Sequence, residues 1–172
     1  MHADRLMKLA AHIRHLPDGK LDMGAWIKIG EGPEKRTLVL DNTVHGSNEV
    51  LLEGFCGAVV CALGSAAFIP EFRARGLSAY RSAWGSGVLY ADPATGHYHD
   101  CNAGAKFFDI EYDHATVLFG SGEGDCYAYY VGRDYAEDDR INDVQEITPE
   151  MVANGIERFV RNGGTIVFDF HE

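Results

Sequence analysis

The apolar stretch CGAVVCALGSAAF, residues 56–68, decides the fold that we expect for this chain. It is apolar on nearly every side, which is typical of a helix that several neighbours cover. Small residues such as Gly57 and Ala62 would let those neighbours approach closely. We therefore predict a central buried helix over residues 56–68, which is too short to cross a bilayer. Pro70 follows it and suits the first turn of another short helix.

Four more helices are predicted around this central one. Apolar residues recur at helical spacing over residues 4–16, and Pro17 ends the pattern. Residues 103–110 and 112–119 predict two short helices that are joined near Glu111.

The clearest helix start in the chain is Thr148-Pro149-Glu150. Threonine caps the helix, proline suits the first helical position, and glutamate favours the positive end of the helix dipole. The predicted buried stripe of this helix is Val152, Ile156, Phe159 and Val160.

Short strands are predicted at three places. Residues 88–90 and 97–99 flank the turn sequence Asp92-Pro93-Ala94-Thr95-Gly96, which predicts a β-hairpin. Residues 37–40 favour a short strand, and the alternation over residues 166–170 predicts a final one. We therefore expect an α+β fold, a mainly helical single domain over residues 1–172 with a small antiparallel β-sheet.

Composition argues against a disordered chain, a membrane protein and a protein that binds nucleic acid directly. The 172 residues are 46% hydrophobic and 24% charged, close to the globular average. Subtracting 26 acids from 15 bases gives a net charge of -11, which opposes direct binding to nucleic acid or to an anionic membrane. The same charge permits docking onto a basic protein surface. The first twenty residues carry no secretory signal pattern, so we expect a cytoplasmic protein with reduced cysteines.

Cys56 is the sharpest candidate for chemistry, because the predicted helix begins there. A helix N-terminus lowers the pKa of a thiol and favours the nucleophilic thiolate. His97, His99 and His114 are candidate catalytic bases, and Asp100 or Asp113 could orient them, although no spacing rule links these residues to Cys56. The competing interpretation is that Cys56 and Cys61 are buried structural thiols, and we favour it.

A metal site is the second chemical candidate. If the strand of the hairpin continued, His97, His99 and Cys101 would share one face, a geometry that suits zinc. Zinc motifs normally supply a second pair of ligands, which this sequence lacks, so we predict no metal and no cofactor. The acidic run over residues 134–143 lacks the order of a calcium loop and predicts a solvated loop.

The order of these pieces resembles a widespread group of small phage and bacterial proteins with no established activity. Members share a Trp-containing segment, a C-G-x-x-x-C-x-x-G motif, a helical pair ending in L-F and a T-P-E helix. The corresponding residues here are Trp26, Cys56, Gly57, Cys61, Gly64, residues 107–110, Leu118, Phe119 and residues 148–156. The resemblance implies a phage or bacterial origin and a fold, and it implies no reaction.

Three functions remain open at this point. The first is a non-enzymatic phage or prophage accessory protein that binds a host protein, for instance as an inhibitor of a defence system. The second is a thiol enzyme with Cys56 as its nucleophile. The third is a small-molecule-binding protein with a pocket lined by Trp26, Trp84, Tyr90 and Tyr98. The oligomeric state does not follow from the sequence.

Overall fold

The structure is a computed structural model that describes residues 1–17, 19–23, 27–28, 37–39, 50–52, 59–82, 85–120, 125–131 and 147–168. Its helices are α1 (Ala3–Arg14), α2 (Ala62–Ala66), α3 (Pro70–Arg73), α4 (Asp100–Phe108), α5 (Tyr112–Phe119), α6 (Asp125–Val131) and α7 (Pro149–Arg161). Its strands are β1 (Ile27–Lys28), β2 (Thr37–Val39), β3 (Val50–Leu52), β4 (Val59–Val60), β5 (Leu77–Ser82), β6 (Gly85–Asp92) and β7 (Gly96–His99). The predicted α+β class is confirmed.

The main sheet is larger than the small sheet predicted. Five antiparallel strands follow the order β2-β3-β5-β6-β7, and β1 pairs separately with β4. The predicted hairpin is confirmed as β6 and β7, in which Tyr90 lies opposite Tyr98. Its turn is held by the carboxylate of Asp92, which accepts the Ala94 N–H at 2.8 Å and the Thr95 hydroxyl at 2.6 Å. The turn that Pro93 and Gly96 predicted is therefore present.

The two faces of the hairpin and β5 differ. Leu77 and Ala79 of β5 lie opposite Tyr90 and Val88 of β6, and these residues face the helices. The register places His97 and His99 with Leu89 on the other face. Strand β5 was not predicted, although its alternation of buried and half-buried residues is the pattern of a strand with one covered face.

The predicted central helix over residues 56–68 is wrong in its first half. Val59 and Val60 form strand β4, and the helix begins only at Ala62. Cys61 is therefore the N-cap residue of α2. Both valines are β-branched and favour extended backbone, and a pairing with β1 holds them there. Residues 56–58 lie outside the described residues.

The predicted C-terminal strand is also not present where the structure can test it. Residues 165–168 have no regular secondary structure, and residues 169–170 lie outside the described part. Ile166 and Phe168 nevertheless pack against the core. Their apolar alternation thus reflects partial burial on one side without strand pairing.

Helix α7 confirms its predicted start and three of the four residues of its predicted buried stripe, whereas the fourth, Val160, is half-buried. The Thr148 hydroxyl accepts the Met151 N–H at 3.2 Å, and Pro149 is the first helical residue. Val152, Ile156 and Phe159 are fully buried. The helix packs against α1, whose Arg14 contacts three side chains on α7. These are Glu150 at 2.9 Å, Asn154 at 2.9 Å and Glu157 at 2.7 Å.

One hydrophobic core joins the helices to the sheet. Its largest fully buried side chains include Phe72, Phe107, Phe108, Phe119, Tyr129 and Phe159. Within the described part of the chain, no helix is both long enough and apolar enough to span a bilayer.

Candidate functional site

The thiol of Cys61 lies at a helix start, where a reactive cysteine would be expected. Its sulfur accepts the Gly64 N–H at 3.3 Å, but the residue is only 1% exposed. Burial raises the pKa of Cys61 to about 12 and outweighs the lowering effect of that hydrogen bond. Cys61 is therefore a neutral thiol at physiological pH. Cys56, the predicted nucleophile, lies outside the described residues.

Cys101 does not continue the face of His97 and His99. Strand β7 ends at His99, and Cys101 lies in the first turn of α4. The predicted alternation over three residues therefore breaks after the second, and burial raises the pKa of Cys101 to about 11. The described residues contain no cluster of three or more histidine, cysteine or acidic side chains that could hold a metal ion.

Two of the three histidines predicted as bases lie on strand β7. His97 is exposed, whereas His99 is half-buried and meets the Tyr80 ring nearly at right angles, at 5.3 Å between ring centroids. Their shared face is opposite the one that packs on the helices. The structure thus places both histidines on the face of the hairpin that also carries Leu89, which is only 4% exposed.

Asp100, which directly follows His99, has an unusual conformation. Its φ of 50° lies in the left-handed region, which non-glycine residues rarely adopt. Its carboxylate accepts the Val88 N–H at 3.2 Å and so bonds to the edge of β6 beyond the last residue of β7. Burial raises the pKa of Asp100. Gly87 makes room for this carboxylate, because a Cβ there would meet both Asp100 and the Tyr80 ring.

The aromatic residues proposed for a ligand pocket are packed against protein groups where they can be seen. Tyr90 stacks on Tyr98 at 6.5 Å and meets the Phe107 ring at 5.3 Å. Lys106 lies 5.5 Å from the ring centroid of Tyr98. Trp26 and Trp84 lie outside the described residues. The described pair therefore joins the hairpin to α4.

A different surface has the features of a binding site. Residues 109–113 run from the end of α4 into the first turn of α5, and we call this part of the surface the α4–α5 corner. Tyr112 is 49% exposed, the highest value among the large hydrophobic side chains that the structure describes. In the sequence, Glu111 and Asp113 are its direct neighbours and Asp109 lies three residues before it, and all three acids are exposed.

Backbone geometry fixes the shape of this corner. Asp109 ends α4 in the left-handed conformation, with φ 54°, and so turns the chain toward α5. Glu111 is the N-cap residue of α5, and Asp113 lies in its first turn. Both acids favour the positive end of the α5 dipole. The ammonium group of Met1 lies 3.0 Å from Asp109 and lowers the pKa of its carboxyl.

A cavity of about 360 Å³ opens beside the corner. Asp109, Ile110 and Glu111 form one side of it, and Gly163 and Gly164 at the end of α7 form another. His114 also lines the cavity and packs its ring on Phe159 at 5.4 Å. Met1 and Lys106 also line the cavity, so two cations face its two carboxylates, whereas Tyr112 and Asp113 lie outside its lining. The corner therefore combines an exposed aromatic ring with a neighbouring concave surface of mixed charge.

Comparisons with protein-family models, with curated proteins and with solved structures found no match for this chain. The resemblance to small phage and bacterial proteins therefore stays a prediction.

Proposed function

We propose that this protein acts without catalysis, by binding a protein with a basic surface through the α4–α5 corner. The observation that carries the proposal is Tyr112, a half-exposed aromatic ring among carboxylates at a rigid chain turn. Tyrosine is enriched in protein interfaces, where such rings fill pockets on the partner and supply much of the binding energy. Glu111 and Asp113 can stabilise the start of α5 through its dipole without Tyr112. The stability of α5 therefore does not explain why this ring is exposed.

Charge favours a basic partner. Asp109 is paired with the Met1 ammonium group, but Glu111 and Asp113 are exposed acids in a chain with a net charge of -11, so the field of the protein attracts cationic surfaces. Complementary charge speeds association and rejects partners of the same sign. Nucleic acids and anionic membranes are therefore poor partners, and we propose a cytoplasmic protein partner and no cofactor.

The family resemblance suggests what that partner is. If the chain is a phage or prophage accessory protein, its partner is a host protein. Components of bacterial defence systems are the first class to test. This part of the proposal rests on the resemblance and on no contact in the structure.

The described thiols disfavour the alternative of a thiol enzyme. Burial raises the pKa values of Cys61 and Cys101 to about 12 and about 11, so the nucleophilic thiolate is scarce at neutral pH. Cys126 is only 2% exposed, which denies a substrate access to its thiol. The remaining candidate is Cys56, which the structure does not describe.

The proposal is tested by isolating the partner and then removing charge from the corner. Tagged protein would be used to capture host proteins, and each candidate would be purified and titrated against the wild type. The variant Glu111→Gln/Asp113→Asn should bind more weakly and with less salt dependence, because two attractive charges are lost. The matched control Glu150→Gln/Glu157→Gln removes two charges at the α1–α7 contact. Equal weakening by both variants would contradict binding at the corner.

A further inference from the structure

A second cavity, of about 550 Å³, lies where the start of α1 meets α3. Arg5, Lys8 and Arg75 line it together with two carboxylates, Asp4 and Glu71. Three cations minus two carboxylates leave a formal charge of +1 on these side chains, whereas the whole chain carries -11. The charged side chains of this cavity therefore carry a net positive charge in a chain that is acidic overall.

Glu71 is already engaged by its neighbours. It forms an ion pair with Lys8, and its carboxylate lies 4.0 Å from the Arg75 guanidinium. Among the described residues, none of the ion pairs includes Arg5. Arg5 instead donates to the Phe107 carbonyl oxygen and lies 4.6 Å from the Phe107 ring centroid. These contacts hold Arg5 in place, and the nearby carboxylates of Asp109 and Glu71 favour its charged form without a direct ion pair.

Arg5 and Arg75 also repel each other. Burial is the largest cause that lowers the pKa of Arg5, and the charge of Arg75 is the next. Two guanidinium groups in one cavity are stabilised by an anion placed between them, because it replaces repulsion by two attractions.

We propose that this cavity binds a small phosphate-bearing molecule, whose phosphate is held by Arg5 and Arg75 with Lys8 beside them. Guanidinium groups donate two parallel hydrogen bonds to phosphate oxygens, and a tetrahedral phosphate accepts from several directions at once. The start of the twelve-residue α1 also lines the cavity, and its dipole favours an anion. The volume lies within the range of roughly 300–1,000 Å³ that is usual for small-molecule sites. This site is additional to the partner-binding role of the α4–α5 corner.

Calorimetric titration with pyrophosphate at constant ionic strength tests the site. The wild type should bind one equivalent saturably, with a Kd below about 1 mM. Arg75→Gln should weaken binding about tenfold, because it removes one of the two guanidinium groups. Arg73→Gln is the matched control: it makes the same change two residues earlier, at the last residue of α3, and Arg73 does not line the cavity. Its Kd should stay within about twofold of the wild type.

A second variant separates geometry from charge. Arg5→Lys keeps the positive charge but loses the planar fork, so binding should weaken while circular dichroism and melting temperature report an intact fold. Absence of saturable pyrophosphate binding by the wild type would overturn the proposal. Equal losses in Arg73→Gln and Arg75→Gln would do the same, since they would indicate general screening. Tighter binding of citrate than of pyrophosphate would replace the phosphate assignment by a carboxylate one.

Discussion

Two opposing effects act on the thiol of Cys61. Its place at the start of α2 and its hydrogen bond from Gly64 favour the thiolate, whereas full burial favours the neutral thiol. Burial wins, and the pKa rises to about 12. A cysteine at a helix start is thus not enough to indicate a nucleophile, because access to water decides which effect dominates.

Alkylation should report this burial directly. We expect Cys61 to react with iodoacetamide at neutral pH much more slowly than free cysteine does, and to react rapidly once the protein is unfolded. Mass spectrometry of labelled peptides would give the rate for each cysteine. Cys101 is half-buried and serves as an internal comparison. Labelling of Cys61 in the folded protein as fast as free cysteine would contradict its burial.

The same thiol should make stability depend on alkaline pH. The pKa of Cys61 is about 12 in the folded protein and about 9 when unfolded, so between these values the unfolded state releases its proton first. The free energy of unfolding should therefore fall as pH rises from about 9 toward 12. A Cys61→Ala variant should show a shallower fall in urea denaturation across this range. An identical slope in both proteins would mean that Cys61 does not ionise on unfolding.

Asp100 shows what residue patterns could not predict. Its left-handed backbone and half-buried carboxylate depend on the Val88 N–H, which β7 leaves available because that strand is only half as long as β6. Such pairing lengths are decided by tertiary packing. The sequence suggested Asp100 only as a carboxylate that could orient a catalytic histidine.

At the scale of elements, the helices with a regular apolar stripe were the easiest to predict. Helices α1, α5 and α7 have an apolar stripe at helical spacing and clear residues at one or both ends. Strand β4 could not be separated from α2 in this way, because a continuous apolar run fits either a buried strand or a buried helix. Its partner, β1, lies more than thirty residues earlier in the chain.

Gly155 marks the close approach of α6 to α7. A Cβ there would lie 2.7 Å from Cδ1 of Tyr130 and 3.2 Å from Cε1 of Tyr129. Hydrogen bonds to Leu118 and Gly155 carbonyl oxygens hold both rings. Gly155→Ala should gain about 1 kcal/mol of helix propensity but lose about 1–3 kcal/mol through overpacking, and we expect a net loss.

Chemical denaturation would measure this change, with Arg161→Ala as the control on the exposed side of the same helix. The control should stay within about 0.5 kcal/mol of the wild type. A stabilised Gly155→Ala protein would show that the tyrosines can move aside.

Phe159 should be a main stabilising contact of α7. It is fully buried and packs against the His114 ring. Phe159→Ala should lower the free energy of unfolding by about 3–5 kcal/mol, because it leaves a large cavity. Val160→Ala, at a half-buried neighbour, should cost roughly 0.5–1.5 kcal/mol. Similar melting temperatures for wild type and Phe159→Ala would remove this face of α7 from the core.

At the scale of the whole molecule, the fold was predicted better than the site. Class, hairpin and most helices followed from periodicity and turn residues, whereas of the candidate site residues His97 and His99 share one face of β7 and Cys56 lies outside the described residues. Tyr112 was not singled out. Its signal was available, since it lies among three acids while the buried face of α5 is supplied by Ala115, Leu118 and Phe119.

The α4–α5 corner exists because α4 ends abruptly. Asp109 turns the chain, α5 packs back on α4, and the end of α7 closes one side of the cavity. The buried rings of Phe108 and Phe119 hold the two helices together beneath it, at 5.3 Å between centroids. Tyr112 is therefore presented from a well-supported base, which reduces the entropy lost on binding.

The Kd of the purified partner for Tyr112→Ser tests the central claim most directly. Val167→Ser, at another exposed hydrophobic residue, is the matched control. If Tyr112 is the anchor, its loss should weaken binding by at least tenfold, or about 1.4 kcal/mol, while the control binds like the wild type. A Kd for Tyr112→Ser equal to that of the wild type would contradict binding through the α4–α5 corner.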